Sequence, residues 1–132
     1  MNTIDFLKAS AATGAAMFAL DMVWLGVVAK GFYARHMGTL LRPDVRWVPA
    51  LLFYVLYVAA VVIFVVLPAA ERKSLGRALG MGAFFGLAAY ATYDLTSLAL
   101  IRDFPVVVVM VDMAWGMLLT TIAAGAGFLA AE

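Results

Sequence analysis

The stretch VVVVMVDMAWGMLLTTIAAGAGFL, residues 106–129, decides the fold. It holds twenty-four residues and one ionisable side chain, Asp112. A bilayer core takes about 20 helical residues. So long an apolar run does not alternate as a barrel strand would, and its backbone must satisfy itself as a helix. Working outward, three more apolar stretches share this character, at about 8–29, 47–69 and 78–100. The expected fold is all-α: an integral membrane four-transmembrane-helix bundle with short loops, one domain over 1–132. The first run opens like a signal peptide, but it is too long and Asp21 interrupts it, so it reads as an uncleaved membrane helix.

Composition agrees. The chain is 67% hydrophobic and 13% charged, where soluble domains have about 45–50% apolar and about 25% charged residues. Without cysteine there are no disulfides, thiolate metal sites or thiol nucleophiles. A net charge of +1 offers no basic field to nucleic acid. The single histidine, His36, falls in a polar loop and reads as a solvated residue.

The longest connection, KGFYARHMGTLLRPDVR at 30–46, contains a turn at LRPD, and the pieces beside it are suited to lie flat at the interface. RDFP at 102–105 is a tight turn, which makes the third and fourth spans antiparallel neighbours. Lys8, Arg72, Lys73 and Arg77 fall on the side of the N-terminus; Lys30, Arg35, Arg42, Arg46 and Arg102 fall on the other. Four against five is no bias, so the positive-inside rule sets no orientation.

Three aspartates lie inside the spans. At about 1.5 Å of rise per residue, Asp21 sits roughly 4 Å, Asp94 roughly 7 Å and Asp112 roughly 8 Å past the midplane, all toward the same side. On the second span Tyr54 falls at a similar height and Tyr57 near the midplane. Residues three and four apart share a helix face. Asp94 then joins Gly82, Gly86 and Tyr90; Asp21 joins Ser10, Gly14, Met17 and Trp24; Asp112 joins Trp115, Gly116 and Thr120. Small residues mark close helix packing in membranes, so the acids ride on packing faces. An ionised aspartate at a helix centre costs about 2.5–3.5 kcal/mol even on the lenient insertion scale. Three in one apolar layer cannot all keep their charge unless a cation or basic ligand group joins them. DMVWLG at 21–26 and DMAWG at 112–116 each pair an acid with a tryptophan one turn on. That indole can wall a site, donate a hydrogen bond or stack on a cation. Trp47, at a helix end, reads as an interface anchor.

LLFYVLYVAAVVIFVVLPA at 51–69, GLAAYATYDLTSLALIRDFP at 86–105, VDMAWG at 111–116, DMVWLG and the following Phe32-Tyr33 together resemble the bacterial membrane-protein family catalogued as domain of unknown function 2177. YATYDLT is the most specific string. Where the family has YDLTN this chain has Ser97, which keeps a hydroxyl and loses the amide. The resemblance implies four transmembrane helices in a bacterial inner (cytoplasmic) membrane, multi-pass, and no particular chemistry.

Intramembrane acids point to function. The leading reading is an intramembrane polar pocket that binds or transports a cation, a proton or an amphiphilic small molecule, formed by Asp21, Trp24, Tyr54, Tyr57, Tyr90, Asp94, Asp112 and Trp115. Its partners are membrane lipids and either a second copy, through the stripes Gly76/Gly80 or Gly82/Gly86, or another membrane protein. The alternatives are an accessory or structural subunit of a larger membrane assembly, with the acids as polar glue to Tyr54, Tyr57, Thr92 or Thr96, and an enzyme acting on a lipid-phase substrate. Tyr93-Asp94 superficially resembles the YD of intramembrane aspartyl proteases, whose GxGD partner is absent. No cofactor signature, metal-ligand set, phosphate loop or nucleophile elbow is present.

Overall fold

The computed structural model describes residues 2–29, 31–38, 41 and 46–132. These form helices and no strand. In chain order they are α1 (Thr3–Val28), the short α2 (Phe32–Met37), α3 (Trp47–Glu71), α4 (Leu75–Leu100) and α5 (Val106–Ala131).

α1 starts five residues before the apolar run near Lys8. The Asn2 side chain accepts from the Asp5 amide at 2.8 Å, and Asp5 places an acid in the first turn. Cap and dipole together carry the helix beyond its apolar segment. α2 is a short helix within the connection after the first span. The LRPD turn lies outside the described residues apart from Leu41. The last turn of α1, Trp24–Val28, is π-helical, with the Ala29 amide donating to the Trp24 carbonyl at 2.7 Å. α3 widens in the same way over Val62–Val66. There the cause is Pro68, whose missing N–H and bulky ring cannot fit a regular turn. The wide turn lets the helix run on through the proline to Glu71. Ser74 caps α4 by accepting from the Arg77 amide at 3.1 Å.

α1, α3 and α5 are long and apolar enough to cross a membrane. α4 matches them in length, at 26 residues, but its glycines, threonines, tyrosines and Asp94 dilute its apolarity, so apolarity alone marks three spans of the expected four. α5 is the central helix, packed most extensively against α4 and then α1. The core joins Met17, Tyr57, Val61, Val62, Val66, Leu119 and Ala123. Large apolar side chains cover the outside, among them Phe18, Leu52, Leu56, Phe64, Phe84 and Met110. Water would not tolerate so continuous an apolar surface on a monomer; lipid tails solvate it.

The α4–α5 contact is close because of glycine. A Cβ on Gly86 would lie 2.5 Å from the Gly116 carbonyl oxygen and 2.7 Å from Thr120 Cβ. The Tyr90 ring occupies the space where a Gly116 side chain would be. Gly82 and Gly86 are thus spent within the chain and are buried there. This corrects the expectation that their stripe serves a second copy. Gly76 and Gly80 remain on the outer surface.

Replacing Gly86 with alanine should lower stability. Overpacking of this kind costs about 1–3 kcal/mol, more than the ~1 kcal/mol that alanine gains over glycine in an open helix. Gly80→Ala, with no atom near its Cβ, should be neutral or stabilising. Thermal unfolding followed by circular dichroism in detergent separates the two; equal shifts would contradict the packing argument.

Candidate functional site

The two DMxW motifs meet across the α1–α5 contact. Their indoles stack, with ring centroids 4.5 Å apart and planes within 8°. Each motif's tryptophan then serves the other motif's acid. Trp115 Nε1 donates to Asp21 Oδ1 at 3.3 Å. Trp24 Nε1 donates to the Tyr33 hydroxyl at 3.1 Å, and that hydroxyl donates to Asp112 Oδ1 at 3.0 Å. Tyr54, on α3, donates to Asp21 Oδ2 at 3.3 Å.

Tyr33 stands on α2, outside the spans. Burial pushes its hydroxyl pKa well above the ordinary tyrosine value, and the neighbouring Asp112 adds to the shift. The phenol therefore keeps its proton and stays a donor. Sequence reasoning placed Tyr33 only in the family resemblance and missed it as a site residue, because it lies in a loop beyond the apolar run. An aromatic pair one turn past a membrane helix was the available signal.

A cavity of about 450 Å³ opens beside this network, lined by Asp21, Trp24, Leu25, Tyr33, Leu41, Tyr90, Asp112 and Trp115. A second, of about 370 Å³, lies between α3, α4 and α5, lined by Phe53, Ala89, Tyr90, Tyr93 and Asp112. Tyr90 and Asp112 border both.

Five of the eight expected site residues line the first cavity: Asp21, Trp24, Tyr90, Asp112 and Trp115. Tyr54 reaches Asp21 from an apolar groove between α1 and α3. Tyr57 turns elsewhere, sharing a 2.7 Å hydrogen bond with Thr120. Asp94 lines neither cavity. It is 0% exposed, its carboxyl faces that of Asp112, and neither of its oxygens has a hydrogen-bond partner among the described residues. The cavity is therefore bordered by two aspartates, with the third behind it. Depth along a helix axis does not fix the direction in which each side chain points.

The polar-glue reading is also narrowed. Thr92 donates to its own helix at Ala88 O, 2.9 Å away, and Thr96 to Thr92 O and Tyr93 O. Neither hydroxyl is free for an acid on another helix. Tyr93 is half exposed and meets Phe104 edge-on. His36 is exposed, with Nδ1 2.9 Å from the Phe32 carbonyl oxygen.

Apolar helices long enough to span, an outward apolar coat and polar groups turned inward define a helical, multi-pass membrane protein. The chain belongs to the family described as "Predicted membrane protein (DUF2177)", which matches residues 6–129. No curated protein and no solved structure matches it.

Indoles stacked at 4.5 Å couple their electronic transitions. The near-ultraviolet circular dichroism should carry a tryptophan couplet that either Trp24→Phe or Trp115→Phe abolishes and Trp47→Phe leaves intact. A couplet that survives either of the first two changes would show that the motifs do not meet.

Proposed function

We propose that this is a four-span inner-membrane protein of bacterial type that binds an amphiphile with a soft organic cation as its head, at the cavity between Asp21 and Asp112. The observation that carries the reading is the company of these two acids. Both border one cavity, and among the described residues their hydrogen-bond donors, Trp115, Tyr54 and Tyr33, are uncharged. Among the described residues these two carboxylates are held by neutral donors in an apolar layer, and a ligand cation would supply a countercharge. Three of the four carboxylate oxygens already accept a hydrogen bond. What remains for a ligand is mainly charge and the faces of Trp24, Trp115 and Tyr90. Quaternary ammonium groups are recognised through such aromatic faces. The apolar surroundings suit a hydrocarbon tail.

In this reading Asp21 and Asp112 supply the charge, Trp115, Tyr54 and Tyr33 hold the carboxylates in place, and Tyr90 separates the two cavities. α4 is the fourth span: its length and its close run along α5 through Gly82 and Gly86 support that placement.

Benzyltrimethylammonium, a water-soluble aromatic quaternary ammonium, tests the head-group site by calorimetry on protein in lipid nanodiscs. Wild type should bind it saturably. Asp21→Asn and Asp112→Asn should each weaken binding at least about tenfold, roughly the worth of one desolvated cation–π or charge contact. Absence of saturable binding, or indifference to both substitutions, rules the reading out.

The span count has its own test, helped by the absence of native cysteine. Single cysteines at Lys73 and Asp103, in the turns flanking α4, should react with a membrane-impermeant maleimide from opposite sides of sealed vesicles. Labelling of both from one side would remove α4 as a span.

A further inference from the structure

The proposed binding site makes no use of Asp94, which is the least explained group in the molecule. Its carboxyl is fully buried, both oxygens lack a partner among the described residues, and it faces Asp112. Two ionised carboxylates hold only acceptors and cannot bond to each other. An ionised group without a donor is also among the costliest things to bury. One proton resolves both difficulties, because a protonated carboxyl is a donor and Asp112 is the acceptor in front of it. Of the two, Asp112 borders the cavities and meets the Tyr33 donor, so the charge belongs on Asp112 and the proton on Asp94. Among the described residues, the other titratable groups within electrostatic reach of Asp94 are the hydroxyls of Tyr33 on α2 and Tyr93 on its own helix. Neither phenol supplies a countercharge.

We propose that Asp94 is a neutral carboxylic acid that donates a hydrogen bond to Asp112, and so positions the Asp112 carboxylate at the border of the two cavities. Asp94 is a positioning residue and touches no ligand. With Tyr33 on one side and Asp94 on the other, Asp112 has two donors from two elements, and the field of the ion is directed into the cavities. A neutral acid serving as a hydrogen-bond donor in an apolar site is a known use of aspartate.

The test has two parts, of which the second rests on the proposed function and the first does not. Infrared spectroscopy of wild type in nanodiscs at pH 7 should show the C=O stretch of a buried protonated carboxyl, separate from the amide bands. Asp94→Asn should lose that band, and Asp21→Asn should keep it. A wild type without the band, or an Asp94→Asn protein that retains it, overturns the proposal whether or not any ligand binds. For benzyltrimethylammonium, Asp94→Val should weaken affinity by at least about tenfold, the loss of one hydrogen bond to a charged group. Asp94→Asn, whose amide still donates, should return it to within about twofold of wild type. A merely space-filling role predicts the opposite order, since valine matches an apolar pocket better than asparagine does. Loss of the infrared band in Asp94→Asn together with no ligand binding by wild type would sustain the Asp94 assignment and dispose of the ligand reading.

Discussion

An aspartate in hydrocarbon must be given donors, and lipid has none to give. The rest of the bundle follows from that constraint. Asp21 takes its donors from α3 and α5, through Tyr54 and Trp115. Asp112 takes one from α2, through Tyr33. Helices that share no hydrophobic drive to associate in lipid are tied by the groups that would be most costly to leave bare. The two DMxW motifs pair across each other because each acid's own tryptophan, one turn away on the same helix, is committed to stacking and to the opposite network. A near-repeat in sequence thus becomes a mutual contact in space.

Close packing makes this possible. The indoles stack at 4.5 Å, and Tyr90 reaches the cavities with its ring packed against Gly116. With a side chain at 116 the Tyr90 ring would be displaced. Without Gly86 the whole α4–α5 seam would open, and with it the carboxyl-to-carboxyl approach of Asp94 and Asp112. The glycines are therefore part of the polar site although they carry no chemistry.

Much of this was legible in the sequence. The starts at Trp47 and Val106 were readable because apolar content changes abruptly there, at a basic loop in one case and at RDFP in the other. The start of α1 was not, since its first turns are held by the Asn2 cap and not by apolarity. The wide turn of α3 had a signal in Pro68, a proline inside an apolar run. The faces carrying Gly82, Gly86, Asp94, Gly116 and Thr120 were correctly assigned to packing, and all five are buried. What the sequence did not settle was azimuth. Tyr57 and Tyr54 lie one turn apart, yet one turns to Thr120 and the other to Asp21. Rise per residue fixes height, whereas direction depends on how each helix is rotated in the bundle, and that is decided by all the contacts at once.

The same distinction separates the three acids. Equal depth suggested one pocket of three carboxylates, but rotation places Asp21 and Asp112 at the cavity and Asp94 behind it. The difference matters electrostatically. Three exposed carboxylates would repel one another and favour shedding charge at the site itself. In the proposed arrangement, two at the cavity, with a neutral third supporting one of them, keep their charge toward a bound cation. Desolvation then falls on the group best placed to be uncharged, and the charged pair retains the donors from Tyr33, Tyr54 and Trp115. A bundle of this size has few inward positions to spend on polarity, and arranging one acid as a donor for another uses the same residue type for both roles.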